Sequence, residues 1–239
     1  MKGKRLPVLS YPENVVLLED SEQDPETFFR RLLSPYISVD SFPYFYLHHG
    51  VTNWIDTLDH AFLEADVEDY SYFRLFPFSK KSDLKLVVPS KTKTLEESVL
   101  DTKGSLYLDM SYFFTDTTNM ANKNLDTRNV VSMCFGVSKG NCLSRARLAW
   151  EVTKIPNTKK EVLQKQYNYD IPFSTKKVIS HLSKEETPFE TCFKYDARFR
   201  HAYSEEGLEG QPSNLVFKKD RVFYPWYKAK ELECLLLPT

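Results

Sequence analysis

Four short apolar segments follow one another between residues 72 and 137, and they constrain the fold more than any other feature of the sequence. Each has the length of a strand and is rich in aromatic or β-branched residues. The segments are YFRLFPF (72–78), DLKLVV (83–88), SLYLDMSYFF (105–114) and NVVSMCFGV (129–137). A short polar link, SKKS, joins the first two and predicts a β-hairpin, whereas a longer polar loop over 115–128 joins the last two.

The residues ahead of these segments predict one more strand and a helix. Segment 14–20, NVVLLED, has the composition of a strand. Asp24 followed by Pro25 predicts the start of the helix, because aspartate caps helix N-termini and proline fits the first helical position.

The stretch PYFYLHHGVTNW, residues 43–54, predicts a corner between an extended segment and a second helix. Gly50 ends the extended half. Thr52 or Asn53 then caps a helix that continues to about Ala65. We therefore interpret this aromatic and histidine-rich stretch as a structural corner rather than a binding site.

The second half of the sequence has a more helical pattern. Helical segments are predicted at 143–154, 157–167 and 174–184. A loop at 203–213 precedes a final hairpin built from NLVF and RVFYPWY. The sequence therefore predicts the α+β class, with a mainly antiparallel sheet, helices packed on one face and a more helical second half.

The length of the chain favours one domain over residues 1–239. A subdivision near residue 140 is the alternative, with a sheet-rich part at 1–138 and a more helical, basic part at 139–239. The net charge of the whole chain is −1. Residues 1–70 carry 5 basic and 13 acidic side chains and the remainder carries 27 and 20, so the two parts have net charges of −8 and +7. If this asymmetry has a function, the later part faces an acidic partner.

The scarcity of glycine argues against a nucleotide-dependent enzyme. The chain has 7 glycines but 17 phenylalanines and 14 tyrosines. Loops that cradle phosphate and dinucleotide folds need glycine where the backbone approaches the ligand. Aromatic residues are enriched in cores and at partner surfaces.

The sequence predicts an intracellular location, in the nucleus or the cytoplasm. The start, MKGKRLPVLSYPE, has too short an apolar run for a secretory signal, and no apolar run is long enough to span a membrane. The four cysteines show no pairing pattern, so we expect reduced thiols and no membrane partner.

The histidines do not predict a metal site. His48 and His49 are adjacent, so on a strand they point to opposite faces and cannot share one ion. His60 lies on the predicted helix, four residues from both Asp56 and Glu64, a spacing typical of surface ion pairs.

The search for catalytic motifs predicts no active site. Asp83-Leu84-Lys85 matches half of a metal-dependent nuclease signature, but in the predicted hairpin the candidate second acid, Asp69, lies roughly 25 Å from Asp83. The segment GVSKGNC (136–142) lacks the endings of known phosphate loops and predicts a turn, with anion binding at Gly140 and Asn141 as the alternative. We therefore expect no catalytic residue, no cofactor and no metal.

Nucleophilic catalysis also lacks a sequence signal. No G-x-S-x-G motif occurs, and no cysteine has a histidine near it in sequence. A spatial pairing of Cys192 with His181 or His201 is left open.

Two basic segments, 139–165 and 217–230, are the most informative feature for function. If the aromatic rings of these segments are exposed, the positive charge attracts phosphate and the rings stack on single-stranded bases. The alternative is that the rings are buried in the core and the lysines form a solvated face. The predicted partner or nucleic-acid surface consists of Arg145, Arg147, Lys154, Lys218, Lys219, Arg221, Phe223, Tyr224, Trp226 and Tyr227.

Three functional hypotheses follow. The first is a non-catalytic interaction subunit, with protein partners in a hetero-complex that handles nucleic acid. The second is a module that binds single-stranded nucleic acid directly through the two basic segments. The third is an enzyme whose site is assembled from dispersed residues. The missing motifs favour the first hypothesis.

Overall fold

A computed structural model describes residues 24–66, 71–141, 143, 146–166, 173–190, 192, 209–210, 216–219 and 222–225, and its main body is built on a six-stranded sheet. The strands of this sheet are β1 (Tyr44–His48), β2 (Leu63–Ala65), β3 (Leu84–Val87), β4 (Ser105–Met110), β5 (Val130–Gly136) and β6 (Ala149–Thr153). The helices are α1 (Pro25–Leu33), α2 (Val51–Asp56), α3 (Leu95–Asp101), α4 (Thr158–Gln166) and α5 (Phe173–Leu182). A second sheet contains β7 (Glu209–Gly210), β8 (Val216–Lys219) and β9 (Val222–Pro225).

The six-stranded sheet is mixed rather than mainly antiparallel. Its order is β1-β6-β5-β4-β3-β2. Strands β2, β3, β4 and β5 run parallel, and β6 is antiparallel to both β5 and β1. The α+β class is confirmed, but the expected antiparallel pairing is wrong for this half of the sheet. The chain returns through α3 and through short 3₁₀ turns instead of through hairpins, and such crossovers produce parallel neighbours.

The predicted hairpin of 72–78 and 83–88 does not form. Residues Ser71–Leu75 form a 3₁₀ helix, and β3 pairs in parallel with β2 and β4 instead. The predicted helix at 143–154 is also wrong, since its second half is the strand β6. In β6, Trp150 and Val152 join the apolar core, whereas Glu151 between them faces the other side of the sheet. This alternation is the period of a strand.

One face of the sheet carries the apolar core. Helix α1 packs its aromatic residues on this face, and the Phe29 ring stacks on Trp150 with 4.0 Å between ring centroids. Trp150 in turn stacks on Phe135 of β5 at 5.8 Å. Helix α5 adds Val178 and Ile179 to the same cluster. Burial of each such side chain contributes about 1.5–3 kcal/mol, so this face anchors the sheet.

The opposite face carries a row of polar side chains. Tyr46, Glu151, Cys134 and Asp109 are register neighbours across β1, β6, β5 and β4, so they point to the same side. Helix α2 lies over one end of this face, where Val51 touches Gly136, and α4 reaches it through Lys160. The helices therefore cover both faces, and the expectation of helices on one face is wrong.

Several local predictions are confirmed. Asp24 caps α1 by accepting a hydrogen bond from the Thr27 amide at 2.8 Å, with Pro25 at the first helical turn. Helices α4 and α5 and the hairpin β8–β9 form where the sequence predicts them. The predicted strand at 14–20 and most of the loop at 203–213 lie outside the described residues. The division into domains stays a prediction, and no helix in the described part has the length and apolar character needed to cross a bilayer.

Candidate functional site

The candidate site lies at the edge where the parallel strands of the sheet end. Strands β3, β4 and β5 run in the same direction, and β1 runs in that direction too because both β1 and β5 are antiparallel to β6. Their carboxyl ends therefore meet at one edge, with His48 and Gly136 in one register row through Ala149. In open α/β sheets, ligands bind outside this edge.

Asp109 is a buried carboxylate at the end of β4. It is 1% exposed, and its register partner on the adjacent strand β5 is Cys134. The amide and the hydroxyl of Ser111 both donate to Oδ1, the amide at 2.9 Å. Burial raises the pKa of Asp109, and the charges of Lys139 and Lys91 together with the Ser111 hydrogen bonds oppose this rise. A buried acid with two basic neighbours is a functional candidate on physical grounds.

Lys139 lies on the connection that follows β5 and is held against the connection that follows β4. Its Nζ atom is 3.6 Å from the centroid of the Tyr112 ring. The next residue, Gly140, has no room for a side chain, because a Cβ atom there would lie 2.4 Å from the Cβ of Phe114. This close approach fixes the course of the chain beside Lys139 and keeps its amine within electrostatic reach of Asp109.

Gly50 and Arg147 form a third part of the same edge. Gly50 follows β1 with φ of 81°, a conformation that favours glycine. A Cβ atom on Gly50 would lie 3.1 Å from Nη2 of Arg147, so the bare backbone makes room for the guanidinium. Arg147 itself has φ of 47°, which is uncommon for a residue with a side chain and occurs at functional sites. The exposed guanidinium is suited to an anion.

The connection that follows β3 is also built with strain. Ser90 has φ of 63° and its amide donates to the carbonyl of Lys93 at 2.8 Å. Asn119 donates to Ser90 Oγ at 2.8 Å and to the Phe113 carbonyl at 2.7 Å, which ties this connection to the one after β4. The turn places Lys91, 5% exposed, in the interior beside Asp109.

A second polar cluster lies on the same face, two strands across the sheet from Asp109, and is a buried ion-pair network. Glu151 accepts from His48 Nε2 at 3.1 Å, from Ser132 Oγ at 2.6 Å and from Lys160 Nζ. Burial raises the pKa of Glu151, but the hydrogen bond from His48 and the charge of Lys160 outweigh burial and lower the pKa to about 2. Burial also lowers the pKa of His48, and the Glu151 contact opposes that change.

Cys134 separates the two clusters and is not a nucleophile. It is buried between Asp109 and Glu151 in the sheet. Burial and the two neighbouring carboxylates raise the pKa of its thiol well above the usual range. Because the thiolate is the reactive form, this cysteine is chemically inert. Cys192 is buried too, His181 lies 3.3 Å from Glu185, and His201 lies outside the described residues.

Among its described residues, the basic segment 139–165 does not form a continuous surface stripe. Lys154 donates to the carbonyls of Thr127 and Arg128, at 2.7 and 3.1 Å. Lys160 belongs to the buried network, and Lys139 lies at the candidate site. Of the two predicted partner residues whose side chains the structure describes, Arg147 lies at this edge and Lys154 does not.

The rest of the predicted surface stays a prediction. Lys218 and Lys219 lie in β8, and Phe223 and Tyr224 lie in β9, where the structure describes only the backbone. Arg145, Arg221, Trp226 and Tyr227 fall outside the described residues.

Two sequence interpretations of polar clusters change in the structure. His60 is not part of a surface ion pair, since its Nε2 contacts the Ile55 carbonyl at 2.8 Å and its ring packs on Phe76 and Phe78. Glu64 instead pairs with Lys85 across β2 and β3 at 2.6 Å. Within the described ranges, no three histidine, cysteine or acidic side chains converge as metal ligands.

Sequence reasoning missed Asp109, Lys139 and Lys91. Each has a visible signal, because Asp109 is a lone acid inside the apolar segment SLYLDM and the two lysines follow apolar strands. The signal has meaning only when the strands are parallel, since only then do their carboxyl ends meet. The predicted antiparallel hairpin instead placed the ends of neighbouring strands at opposite edges of the sheet, so these residues were not expected to lie together. The corner at 43–54 is confirmed as a corner, yet its Gly50 also lines the site.

Comparison with known proteins identifies the fold. No protein-family profile and no curated protein sequence matches the chain. Among solved structures, a C-S lyase from Staphylococcus hominis with bound pyridoxal phosphate matches with a TM-score of 0.60 and 11% identity, over 98% of this chain and 76% of the lyase. An aspartate aminotransferase from Thermotoga maritima matches with a TM-score of 0.56 and 14% identity, over 92% of this chain and 77% of that enzyme.

A third structure is histidinol-phosphate aminotransferase from Sinorhizobium meliloti in complex with pyridoxal 5'-phosphate. Its TM-score is 0.57 with 11% identity, over 86% of this chain and 71% of the aminotransferase. At such identities the likeness shows the fold. These three solved structures are enzymes, and this finding contradicts the hypotheses of a non-catalytic subunit and of a nucleic-acid module. The comparisons favour the third hypothesis, an enzyme with a site assembled from dispersed residues. The expected hetero-complex partner stays a prediction.

Proposed function

We propose that this chain is a pyridoxal-phosphate-dependent enzyme that acts on an amino-acid substrate. The observation that carries the proposal is that Asp109, Lys139 and Arg147 lie along one edge of the sheet, with Lys139 within electrostatic reach of Asp109 and Arg147 beside Gly50. These residues supply an acid, an amine and a guanidinium, and the same fold occurs in two structures that hold pyridoxal phosphate.

The residues present fit this cofactor. Proteins hold pyridoxal phosphate through a covalent bond to a lysine and pair its ring nitrogen with an aspartate or an arginine. Lys139 fits the first requirement. Asp109 fits the second, because both Ser111 hydrogen bonds end on Oδ1 and the other oxygen, Oδ2, is suited to accept from a ring N–H group. Arg147, in the space left by Gly50, fits the phosphate through charge-assisted hydrogen bonds.

Each residue then has a defined task. Bound pyridoxal phosphate supplies an electron sink that stabilises negative charge on the substrate carbon next to the amine. Asp109 holds a proton on the ring nitrogen by pairing with it in a site shielded from water. Arg147 fixes the position of the ligand through its phosphate. Lys139, as a free amine, would take up a proton from that substrate carbon and return it.

Trapping the attached lysine tests the proposal. The full chain is incubated with pyridoxal phosphate, reduced with borohydride and digested, and the modified peptide is identified by mass spectrometry. We expect modification of Lys139 with a visible absorption band before reduction, and loss of both in Lys139→Ala. Lys103→Ala, at an exposed position, is the matched control. Modification spread over surface lysines, or none, contradicts the proposal.

The reaction class is tested on the loaded protein. Amino acids are supplied with and without a 2-oxo acid. Amino-group transfer requires the 2-oxo acid for turnover, whereas a C–S lyase releases a thiol from a sulfur amino acid without it. A loaded protein whose visible spectrum is unchanged by every amino acid contradicts an amino-acid substrate.

A further inference from the structure

We propose that Lys91 is a second, permanent cation of the site, which keeps Asp109 ionised when the amine of Lys139 is engaged. The inference rests on the proposed function and deepens it. Lys91 acts on the ligand through Asp109 and is therefore a positioning residue.

The side chain of Lys91 is buried, although the residue lies on a connection between a strand and a helix. The residue lies four positions after the end of β3, and β3 is the parallel neighbour of β4, which carries Asp109. A lysine on such a connection would ordinarily extend into solvent, because burying its ammonium group is costly. Here its side chain is 5% exposed. Burial of the Lys91 ammonium group is therefore expected to lower the stability of the folded state.

The turn that places Lys91 is fixed on both sides. Ser90, the preceding residue, has φ of 63°, in the region where residues with side chains are uncommon. Asn119 is 0% exposed and bonds both Ser90 Oγ and the Phe113 carbonyl, which links the connections after β3 and β4. Backbone strain persists where surrounding structure holds it, and it concentrates at functional sites.

The charged and titratable groups around Asp109 come from three connections and one strand. Lys91 follows β3, Lys139 follows β5, and Ser111 follows β4 and bonds the carboxylate directly. Cys134 is the register neighbour on β5, and its thiol stays protonated because burial and the two carboxylates raise its pKa. Among the described residues, the charges of these two lysines oppose the effect of burial on the Asp109 carboxylate.

The need for a second cation follows from the task of Lys139. When Lys139 attaches to the ligand, its nitrogen would form a C=N bond with the aldehyde carbon. Two of its protons would leave with the aldehyde oxygen as water and the third would pass to solvent, so the neutral nitrogen would no longer offer a positive charge to Asp109. Burial then favours the protonated, neutral carboxyl. A neutral carboxyl does not hold a proton on a ring nitrogen. Lys91 is not consumed by the reaction, so it maintains the carboxylate at the moment when the site depends on it.

The test compares two ligands that differ in one atom. Pyridoxal phosphate is titrated against its carbocyclic analogue, in which a C–H group replaces the ring nitrogen. The ratio of the two dissociation constants, measured from pH 5 to 9 by absorbance, isolates the Asp109 contact, since both ligands share the aldehyde and the phosphate. The proteins are wild type, Lys91→Met, Lys91→Arg and, as matched control on the same connection, Lys93→Met, whose side chain is exposed.

We expect the wild-type protein to prefer pyridoxal phosphate by roughly tenfold or more, with the preference lost on acidification as Asp109 takes up a proton. In Lys91→Met the loss moves to higher pH by about one unit, while Lys91→Arg and Lys93→Met follow the wild type. If Lys91→Met does not fold, as judged by circular dichroism, Lys91→Gln carries the same expectation. A Lys91→Met profile that superimposes on the wild type, or an equal shift in Lys93→Met, overturns the inference. A wild type that attaches neither ligand overturns the proposed function itself, and the role of Lys91 with it.

Discussion

At the scale of single residues, two buried carboxylates on one face of the sheet have pKa values shifted in opposite directions. Glu151 contacts a lysine, a histidine and a serine, and these partners lower its pKa to about 2 against burial. Asp109 has cations near it, but burial dominates and raises its pKa. The first carboxylate is satisfied by the fold. The charged form of the second is destabilised by burial, and such perturbed groups are typical of ligand-binding and catalytic sites.

Replacement of Asp109 by asparagine tests this distinction. Asp109→Asn keeps the shape and an oxygen for the Ser111 donors but removes the charge. A hydrogen bond to a charged group contributes about 1.5–3 kcal/mol, so we expect pyridoxal phosphate affinity to fall by roughly 10- to 150-fold. Equilibrium titration by absorbance measures it. Asp126→Asn on an exposed loop is the control, and an equal loss there would contradict a specific role.

At the scale of elements, the Glu151 network joins four parts of the fold. His48 ends β1, Ser132 lies in β5, Glu151 lies in β6 and Lys160 lies in α4. Because the Gly50 amide donates to the His48 carbonyl, the network also supports the corner at Gly50, beside which the Arg147 guanidinium lies. The network therefore holds the walls of the site rather than taking part in its chemistry.

A pair of variants tests whether charge holds this network. Glu151→Gln preserves the size of the side chain but leaves the Lys160 ammonium buried without its carboxylate. We expect a loss of about 3 kcal/mol in the free energy of unfolding, measured with urea. Glu151→Gln combined with Lys160→Met removes the uncompensated charge and should recover at least about 1 kcal/mol. A double variant less stable than the single one would refute the charge argument.

The same network predicts instability in acid. The pKa of Glu151 is depressed from 4.5 to about 2, so its stabilisation is fully present above pH 4.5 and is lost as the pH falls through 2. The loss amounts to about 3 kcal/mol. Buried His48 has a lowered pKa, so the unfolded chain takes up that proton first and stability begins to fall below pH 6.5. Urea unfolding from pH 7 to 2 measures both effects, and Glu151→Gln should flatten the curve below pH 4.5.

The elements show what sequence patterns can specify. Helix α1 was predictable because its cap, its proline and its buried phenylalanines are all local signals. Strands β4 and β5 were predictable as strands from their apolar runs. Their parallel pairing was not, since the direction of a neighbour depends on the crossover through 3₁₀ turns that have no strong sequence signature. Strand β6 was mistaken for a helix because Glu151, a buried ion-pair partner, resembled a surface residue.

At the scale of the whole molecule, the site is a property of the topology. Residues after β1, β3, β4 and β5 meet only because these strands run in one direction. No two of Gly50, Lys91, Asp109 and Lys139 are near in sequence. Local sequence patterns show each of these side chains, but they do not show which of them lie close together in the folded chain. The scarcity of glycine and the lack of a phosphate-loop motif therefore predict no cofactor, whereas the structure places the Arg147 guanidinium, a group suited to an anion, beside the single glycine Gly50.

Because the site joins distant parts of the chain, ligand binding should stabilise the whole fold. A ligand that binds only the folded state adds about 2.7 kcal/mol at 100 times its Kd. We expect pyridoxal phosphate to raise the melting temperature in a concentration-dependent way, and pyridoxal without phosphate to raise it less, because it lacks the Arg147 contact. Arg147→Met should bring the two ligands to the same effect. Equal stabilisation by both ligands in the wild type would place the phosphate elsewhere than beside Gly50.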